Sequence, residues 1–375
     1  MASTLAATHS GGARPRVAIV LPTYFARDLD FSGGGDRYAY RVAEALRPHC
    51  DVVFVTFGPA ESRRTIDGLC HVVVRANGRD PENPTPTLGF FLRERFDVIH
   101  VYQLRAMATS LLALVCRLKR TPLVVTDVGG GGRSLMFRLQ LYRQINRFIC
   151  ISDFSRSILP SAVRSRAEVV KGGIDLARFK YDARPRMRRV LQVGRIMPHK
   201  GFNYLIDAAG TDIPVVIAGR VKDQDYYQYL RRLAEGKQVE FLIDPPDEVV
   251  DDLYRTSAVT VAASVYTDVW GGRWPTSELL GLTLLESMAV GTPVVCTRVG
   301  GMPEYVEDGA VGFIVPPNDP AAIRARVVEI LSDADRAREM GERGRKHVTQ
   351  FDWSAVGAAI AEEYLPLVAR DRAPT

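Results

Sequence analysis

Long apolar runs are missing from this 375-residue chain: none approaches the about eighteen consecutive residues that a membrane-spanning helix needs. The opening MASTLAATHSGGARPR also lacks the apolar centre of a secretory signal, so residues 1–15 are expected to be a flexible tail on a cytoplasmic protein. Cysteine is scarce and poorly spaced for pairing. Cys50, Cys70, Cys116, Cys150 and Cys296 form no CxxC and leave an odd count, which argues against a disulfide framework or a zinc ribbon. The six histidines form no HExxH. The dinucleotide fingerprint is incomplete too. In SGGGDRYAYRVAEAL, Gly33 and Gly35 fit GxG, but Tyr38 stands where the third glycine belongs, and VVFVT does not end in an acidic residue to hold a ribose. Strong charge is absent: a net +6 permits acidic small molecules as partners without demanding nucleic acid.

What is present is an ordinary globular composition, 46% hydrophobic and 25% charged, in a chain long enough for two full cores. The β-branched runs VAIVL, VVFVT, VVV, DVIHV, LVVT and FICIS alternate with helical stretches, and VLQV, VVIA, VEFL, VTVAA, VVCT and GFIV form a second series. Such alternation specifies parallel sheets with helices on both faces. The basic, proline-containing FKYDARPRMRRV between the two series reads as the linker. The expected fold class is α/β: two doubly wound Rossmann-like domains over residues 16–182 and 183–350, facing across a cleft, with residues 351–375 as a helix crossing back to the first.

Three short elements could hold an anion. Gly33, Gly34 and Gly35 open a helix and bring backbone amides close to a ligand, although a loop that merely needs glycine dihedrals would look the same. In VLQVGRIMPHKG, Arg195 and Lys200 sit at a strand's carboxyl end beside a helix start; alone, such a pair also fits ordinary surface charge. In SELLGLTLLE, Glu278 precedes a helix that Gly281 and Thr283 begin, and Glu286 lies about one turn inside it. On one continuous helix the two glutamates would be about 80° apart and about 12 Å along the axis, too far to share a proton. They must act separately, with the free amides of Leu282 and Thr283 between them, unless they are simply acidic residues of a surface helix.

Together with ISDFSRSIL, KGGIDLARF, GGMPEYVEDGAVGFIV and FDWSAVG, these elements occur in the order of the retaining GT-B glycosyltransferases of family 4, which the chain resembles over nearly all its length after residue 15. The resemblance implies that Arg195 and Lys200 bind the donor diphosphate. It implies that Glu278 holds donor-sugar hydroxyls, that Leu282 and Thr283 offer amides, that Glu286 grips the ribose, and that Gly33 to Gly35 close from the other domain. It puts the base near Gly219, Arg220, Asp244 and Pro245, and family frequency favours UDP-sugars over GDP-mannose. Pro245 and Pro246 have no N–H, so only their carbonyls could accept from a base. Asp127 stands where many relatives carry a sugar-contacting histidine; it is expected either to face a sugar hydroxyl or amine, or to brace the VGGGGR loop. On the acceptor side the candidates are His100, Tyr102 and Arg133, with a satisfied buried histidine the alternative for His100.

The expected activity is transfer of a hexosyl or N-acetylhexosaminyl group from a nucleotide diphosphate to a small-molecule, saccharide or lipid-linked acceptor, with retention and no cofactor or metal. The departing diphosphate would help take the acceptor proton. A nucleotide-sugar 2-epimerase and a non-catalytic sugar-nucleotide-binding subunit share the architecture and are the alternatives. The D-x-D triplets Asp28/Asp30, Asp223/Asp225 and Asp333/Asp335 are about as many as chance supplies in a chain this rich in aspartate. In RSLMFRLQLYRQINRF the arginines step round a helix without forming one basic face, so a packed helix is expected and peripheral membrane contact is not favoured.

Overall fold

The computed structural model describes residues 14–26, 29, 31, 34–81, 83–129 and 135–372. Gly33, Arg133 and the Asp28/Asp30 triplet lie outside the described residues. The first sheet contains β1 (Arg16–Tyr24), β2 (Asp51–Gly58), β3 (Ser62–Ile66), β4 (Leu69–Asn77), β5 (Thr85–Pro86), β6 (Val98–Tyr102), β7 (Leu123–Thr126), β8 (Arg147–Cys150) and β9 (Ala167–Val169). Its order is β3-β4-β2-β1-β6-β7-β8-β9, with β5 against β4. The second sheet contains β10 (Met187–Val193), β11 (Val215–Gly219), β12 (Val239–Ile243), β13 (Ser257–Ala262), β14 (Val294–Thr297) and β15 (Gly312–Val315), in the order β12-β11-β10-β13-β14-β15. Every neighbouring pair is parallel except β3 with β4 and β4 with β5. Helices cover both faces, so central strands bury both sides; Val17 to Leu21 of β1 are wholly buried.

All twelve β-branched runs form strands. Three further strands appear. β3 has four exposed residues and no apolar alternation, and it pairs only because Asp67 (φ +48°) and Gly68 (φ +76°) make a tight left-handed turn back into β4. The expected packed helix in RSLMFRLQLYRQINRF is a correction. Its described part is a run of turns and a single 3₁₀ turn, Leu141–Gln144, preceded by Gln140 in the left-handed region. Met136 and Leu141 are buried there while Leu139 is exposed.

The segment between the sheets is pinned rather than loose: the Arg186 guanidinium donates to the carbonyls of Asp182 (3.0 Å), Tyr254 (3.2 Å) and Val290 (2.8 Å). The C-terminal helix Trp353–Arg372 lies against helix Gly34–Leu46 of the first domain, so close that a side chain at Gly357 would meet the Ala45 carbonyl at 2.3 Å. Glu363 on that helix pairs with Arg147 of β8 at 3.1 Å. No helix among the described residues is long and apolar enough to cross a membrane. Sheet order reverses between β1 and β6 and between β10 and β13, and the loops leaving these strands line the crevice where such folds take ligands.

Candidate functional site

Lys200 ends a 3₁₀ turn (Pro198–Lys200) after β10, and Gly201 behind it has φ +66° with the Ala263 carbonyl 2.0 Å from where a Cβ would stand. Only glycine permits that approach, and it delivers Lys200 to the loop after β13. There the Lys200 ammonium pairs directly with Glu278 Oε1, which also accepts the Ser264 hydroxyl at 2.7 Å. Oε2 has no protein donor among the described residues. Burial alone would push the Glu278 carboxyl up; the Lys200 charge and the two hydrogen bonds outweigh it and hold the group below the ordinary range. Arg195 is exposed and makes no side-chain hydrogen bond among the described residues.

Helix Leu282–Ala289 begins at Gly281, whose φ of +111° no other residue adopts without strain. Its first amides, at Leu282 and Thr283, have no partner within the helix. Glu286 lies one turn in, its Oε2 accepting the Tyr254 hydroxyl at 2.8 Å. Burial holds its carboxyl above the usual range, against the Tyr254 hydrogen bond and the charge of Arg178. Arg178 in turn forks onto Asp251 through two 2.9 Å bonds and reaches Asp247 at 3.3 Å. From the first domain, helix Gly34–Leu46 starts opposite: a methyl group at Gly34 would lie 3.4 Å from Leu282 Cδ1. Gly35 packs against Val128, and Arg37 crosses to Asp247 at 3.1 Å. Two helix N-termini thus face each other with Lys200 and Glu278 at one side and Glu286 at the other, an arrangement suited to an elongated anion.

At the loops after β11 and β12, Gly219 must be glycine because the Gly194 carbonyl stands 2.0 Å from its Cβ position. Arg220 and Asp244 pair with each other at 3.0 Å, and Asp244, at φ +51°, donates its amide to Gly219 at 3.1 Å. Pro245 follows directly. Asp127 accepts the Gly129 amide at 3.3 Å, and burial raises its carboxyl against that bond and a further backbone bond from Leu104.

His100 and Tyr102 are corrections. Both are wholly buried. His100 pairs through Nδ1 with the Tyr364 hydroxyl at 2.6 Å and through Nε2 with Thr126 Oγ1 at 2.8 Å, and stacks on Tyr102 with ring centroids 4.7 Å apart. Burial pushes its imidazole down to about 3, so it stays neutral, a core residue tying the C-terminal helix to the first sheet rather than an acceptor contact. Asp223 and Asp333 are helix N-caps, accepting the amides of Tyr226 and Arg336 at 2.9 Å each. The residues that sequence reasoning passed over are Ser264, Tyr254 and Arg178, which hold or surround the two glutamates; a serine, a tyrosine and an arginine far along the chain give no spacing signal.

Residues 32–178 match the family described as "Glycosyltransferase Family 4", and residues 174–347 match "Glycosyl transferases group 1". The chain belongs to glycosyltransferase family 4. It is 28% identical to the phosphatidyl-myo-inositol mannosyltransferase of Mycolicibacterium smegmatis over 93% of each chain. It is 28% identical to D-inositol 3-phosphate glycosyltransferase 2 of Catenulispora acidiphila over 74% of this chain and 67% of that one. Anabaena Alr3699/HepE, solved in complex with UDP and glucose, has a TM-score of 0.72 at 19% identity, covering 93% of this chain and 99% of that one. The fold of this family 4 enzyme is GT-B, and it is a glycosyltransferase.

Proposed function

We propose that this enzyme moves a hexosyl group from a nucleoside-diphosphate sugar to an acceptor hydroxyl, with retention of anomeric configuration and without a divalent metal. The observation that supports this best is the state of the two glutamates. Glu278 and Glu286 each have one oxygen held by the protein and the other without a protein donor among the described residues, on either side of the open amides of Leu282 and Thr283. In this reading the free oxygen of Glu278 accepts donor-sugar hydroxyls, that of Glu286 accepts ribose hydroxyls, and the diphosphate lies between on the amides, Arg195 and Lys200. As the bond from the anomeric carbon to the phosphate oxygen breaks, negative charge grows on the diphosphate, where these cations and amides stabilise it. The acceptor oxygen attacks on the same face, and its proton passes to the departing phosphate. Arg195, Lys200 and a helix terminus together carry about +2.5, of which the Glu278 carboxylate paired with Lys200 offsets about one charge, leaving roughly +1.5 beside a diphosphate.

UDP is the nucleotide proposed first; the 28% identity to a mannosyltransferase over 93% of the chain makes GDP-mannose the second donor to test. The names of the two curated relatives point to inositol phosphates, free or lipid-linked, as the first acceptor class. A thermal-shift screen of nucleoside diphosphates and their sugars tests the donor, since a ligand at 100 times its Kd stabilises by about 2.7 kcal/mol. Proton NMR of the product's anomeric signal then tests retention. A product of opposite configuration to the donor, or a protein that no nucleoside diphosphate stabilises, would refute the proposal.

A further inference from the structure

Ser152, two residues after β8 and wholly buried, serves two partners with one hydroxyl. Its oxygen accepts the Ser155 amide at 3.0 Å, capping the short helix Asp153–Ser157, and its hydrogen goes to the Leu279 carbonyl of the second domain at 2.6 Å. Leu279 is the residue after Glu278. The same stretch is gripped from its own domain: the Gly301 amide donates to the Glu278 carbonyl at 3.1 Å, and that carbonyl stands 1.7 Å from where a Cβ on Gly300 would be. A Cβ on Gly301 would meet both the Leu279 carbonyl (2.4 Å) and Ser152 (2.8 Å), so first domain, glycine pair and glutamate segment converge within contact distance.

The seam continues one turn on. Glu304 accepts the amides of Asp153 and Phe154 at 2.7 Å each from across the interface, Lys171 bridges Glu304 (2.9 Å) and Asp153 (2.8 Å), and the Tyr305 hydroxyl donates to the Ile151 carbonyl. Ile151 to Phe154 of the first domain are therefore clasped by Leu279, Glu304 and Tyr305 of the second.

We infer that Ser152 is a positioning residue for transfer: docking of the Ile151–Phe154 segment sets the backbone at Leu279, and through it the Glu278 carboxylate, so the sugar-side carboxylate reaches working geometry only when the two domains are clasped. This rests on the reading of Glu278 as the sugar-holding group. The nucleotide-side contacts at Glu286 do not depend on Ser152, which separates the two effects experimentally.

The experiment compares Ser152→Ala, Ser152→Thr, Glu304→Ala and Glu278→Gln with the wild-type full-length chain, measuring kcat and KM for transfer together with UDP and GDP affinity by calorimetry. Ser152→Ala is expected to lower kcat by about 10- to 100-fold, the cost of misplacing a group by a fraction of an ångström to an ångström, with nucleotide affinity within about twofold of wild type. Ser152→Thr, which keeps the hydroxyl, restores at least part of kcat, and Glu304→Ala, which loosens the same seam without touching Ser152, lowers kcat in the same direction. Wild-type kcat in Ser152→Ala, or equal losses in kcat and nucleotide affinity, overturns the inference. If Glu278→Gln itself keeps wild-type turnover, the reading of the site falls; if Glu278→Gln is impaired and Ser152→Ala is not, the inference alone falls.

Discussion

Replacing Lys200 by Met keeps the length of the stem and removes the charge, leaving Glu278, among the described residues, with the Ser264 hydroxyl as its only remaining donor. Both partners are mostly covered, with side-chain exposures of 20% for Lys200 and 12% for Glu278. Removing one partner of such a pair costs about 3 kcal/mol, because the other charge is left uncompensated. For a domain of this size that is roughly 6 to 12 °C in Tm at neutral pH. The pH dependence is the sharper test. In the wild type the folded-state pKa of Glu278 is depressed, so its contribution is present above the unfolded carboxylate pKa and is lost as pH falls through the folded value. Without Lys200 burial dominates and the folded pKa moves above the unfolded one; the ionised form is then penalised, and stability falls as pH rises. The gap in Tm between wild type and Lys200→Met should therefore be smallest in acid, where the carboxyl is protonated in both proteins, widen as pH rises through the depressed wild-type value, and level off once the variant's carboxyl has ionised as well. Differential scanning calorimetry at several pH values measures it. A gap that does not change with pH would refute the reasoning, and adding Glu278→Gln to Lys200→Met should flatten the dependence.

Glu286→Ala removes a carboxylate held by Tyr254 and is expected to weaken UDP or GDP binding by about 1 to 3 kcal/mol while the chain still folds; unchanged affinity in calorimetry would remove Glu286 from the site. Asp127→Asn keeps the size and is expected to lower transfer with little change in nucleotide affinity; unaltered activity and donor preference would leave Asp127 as the brace of the turn at Gly129. Transfer should survive exhaustive EDTA treatment, and Asp223→Ala should instead cost about 1 kcal/mol of stability as a lost N-cap, seen as a lower Tm with kcat intact. Activity lost to EDTA and restored by Mn²⁺ or Mg²⁺ would overturn the metal-free mechanism.

The strands were legible because a strand buried on both faces has to be written as a continuous β-branched run, whichever neighbours it finds. β3 broke that rule. It is an edge strand whose pairing comes from the turn at Asp67 and Gly68, so the readable signal was the Asp-Gly dipeptide rather than hydrophobicity. The segment around Met136 to Gln144 misled for another reason: arginines without a single basic face were read as the mark of a packed helix, but Gln140 adopts a left-handed conformation and Met136 and Leu141 are buried separately.

In the site, the legible parts are those where backbone geometry forces residue choice. Gly201, Gly219 and Gly281 sit where a carbonyl approach or a positive φ excludes other residues, and each fixes the position of a neighbouring loop. Partners were illegible because they join distant segments. Lys200 and Glu278 are 78 residues apart, and Ser152 and Leu279 are 127 apart. The same distance misread His100. A histidine two residues short of a strand's carboxyl end is a fair candidate for a ligand contact until Tyr364, 264 residues later, closes over it. His100 also shows why the C-terminal helix belongs to the working enzyme: with one ring nitrogen on Thr126 and the other on Tyr364, the imidazole is satisfied only when the helix returns to the first domain. That helix packs on helix Gly34–Leu46, whose first residues face Leu282 across the crevice. The return of the C-terminal helix thus helps determine where the glycine-opened helix presents its amides, and the proposed donor site depends on an element that lies outside both sheets.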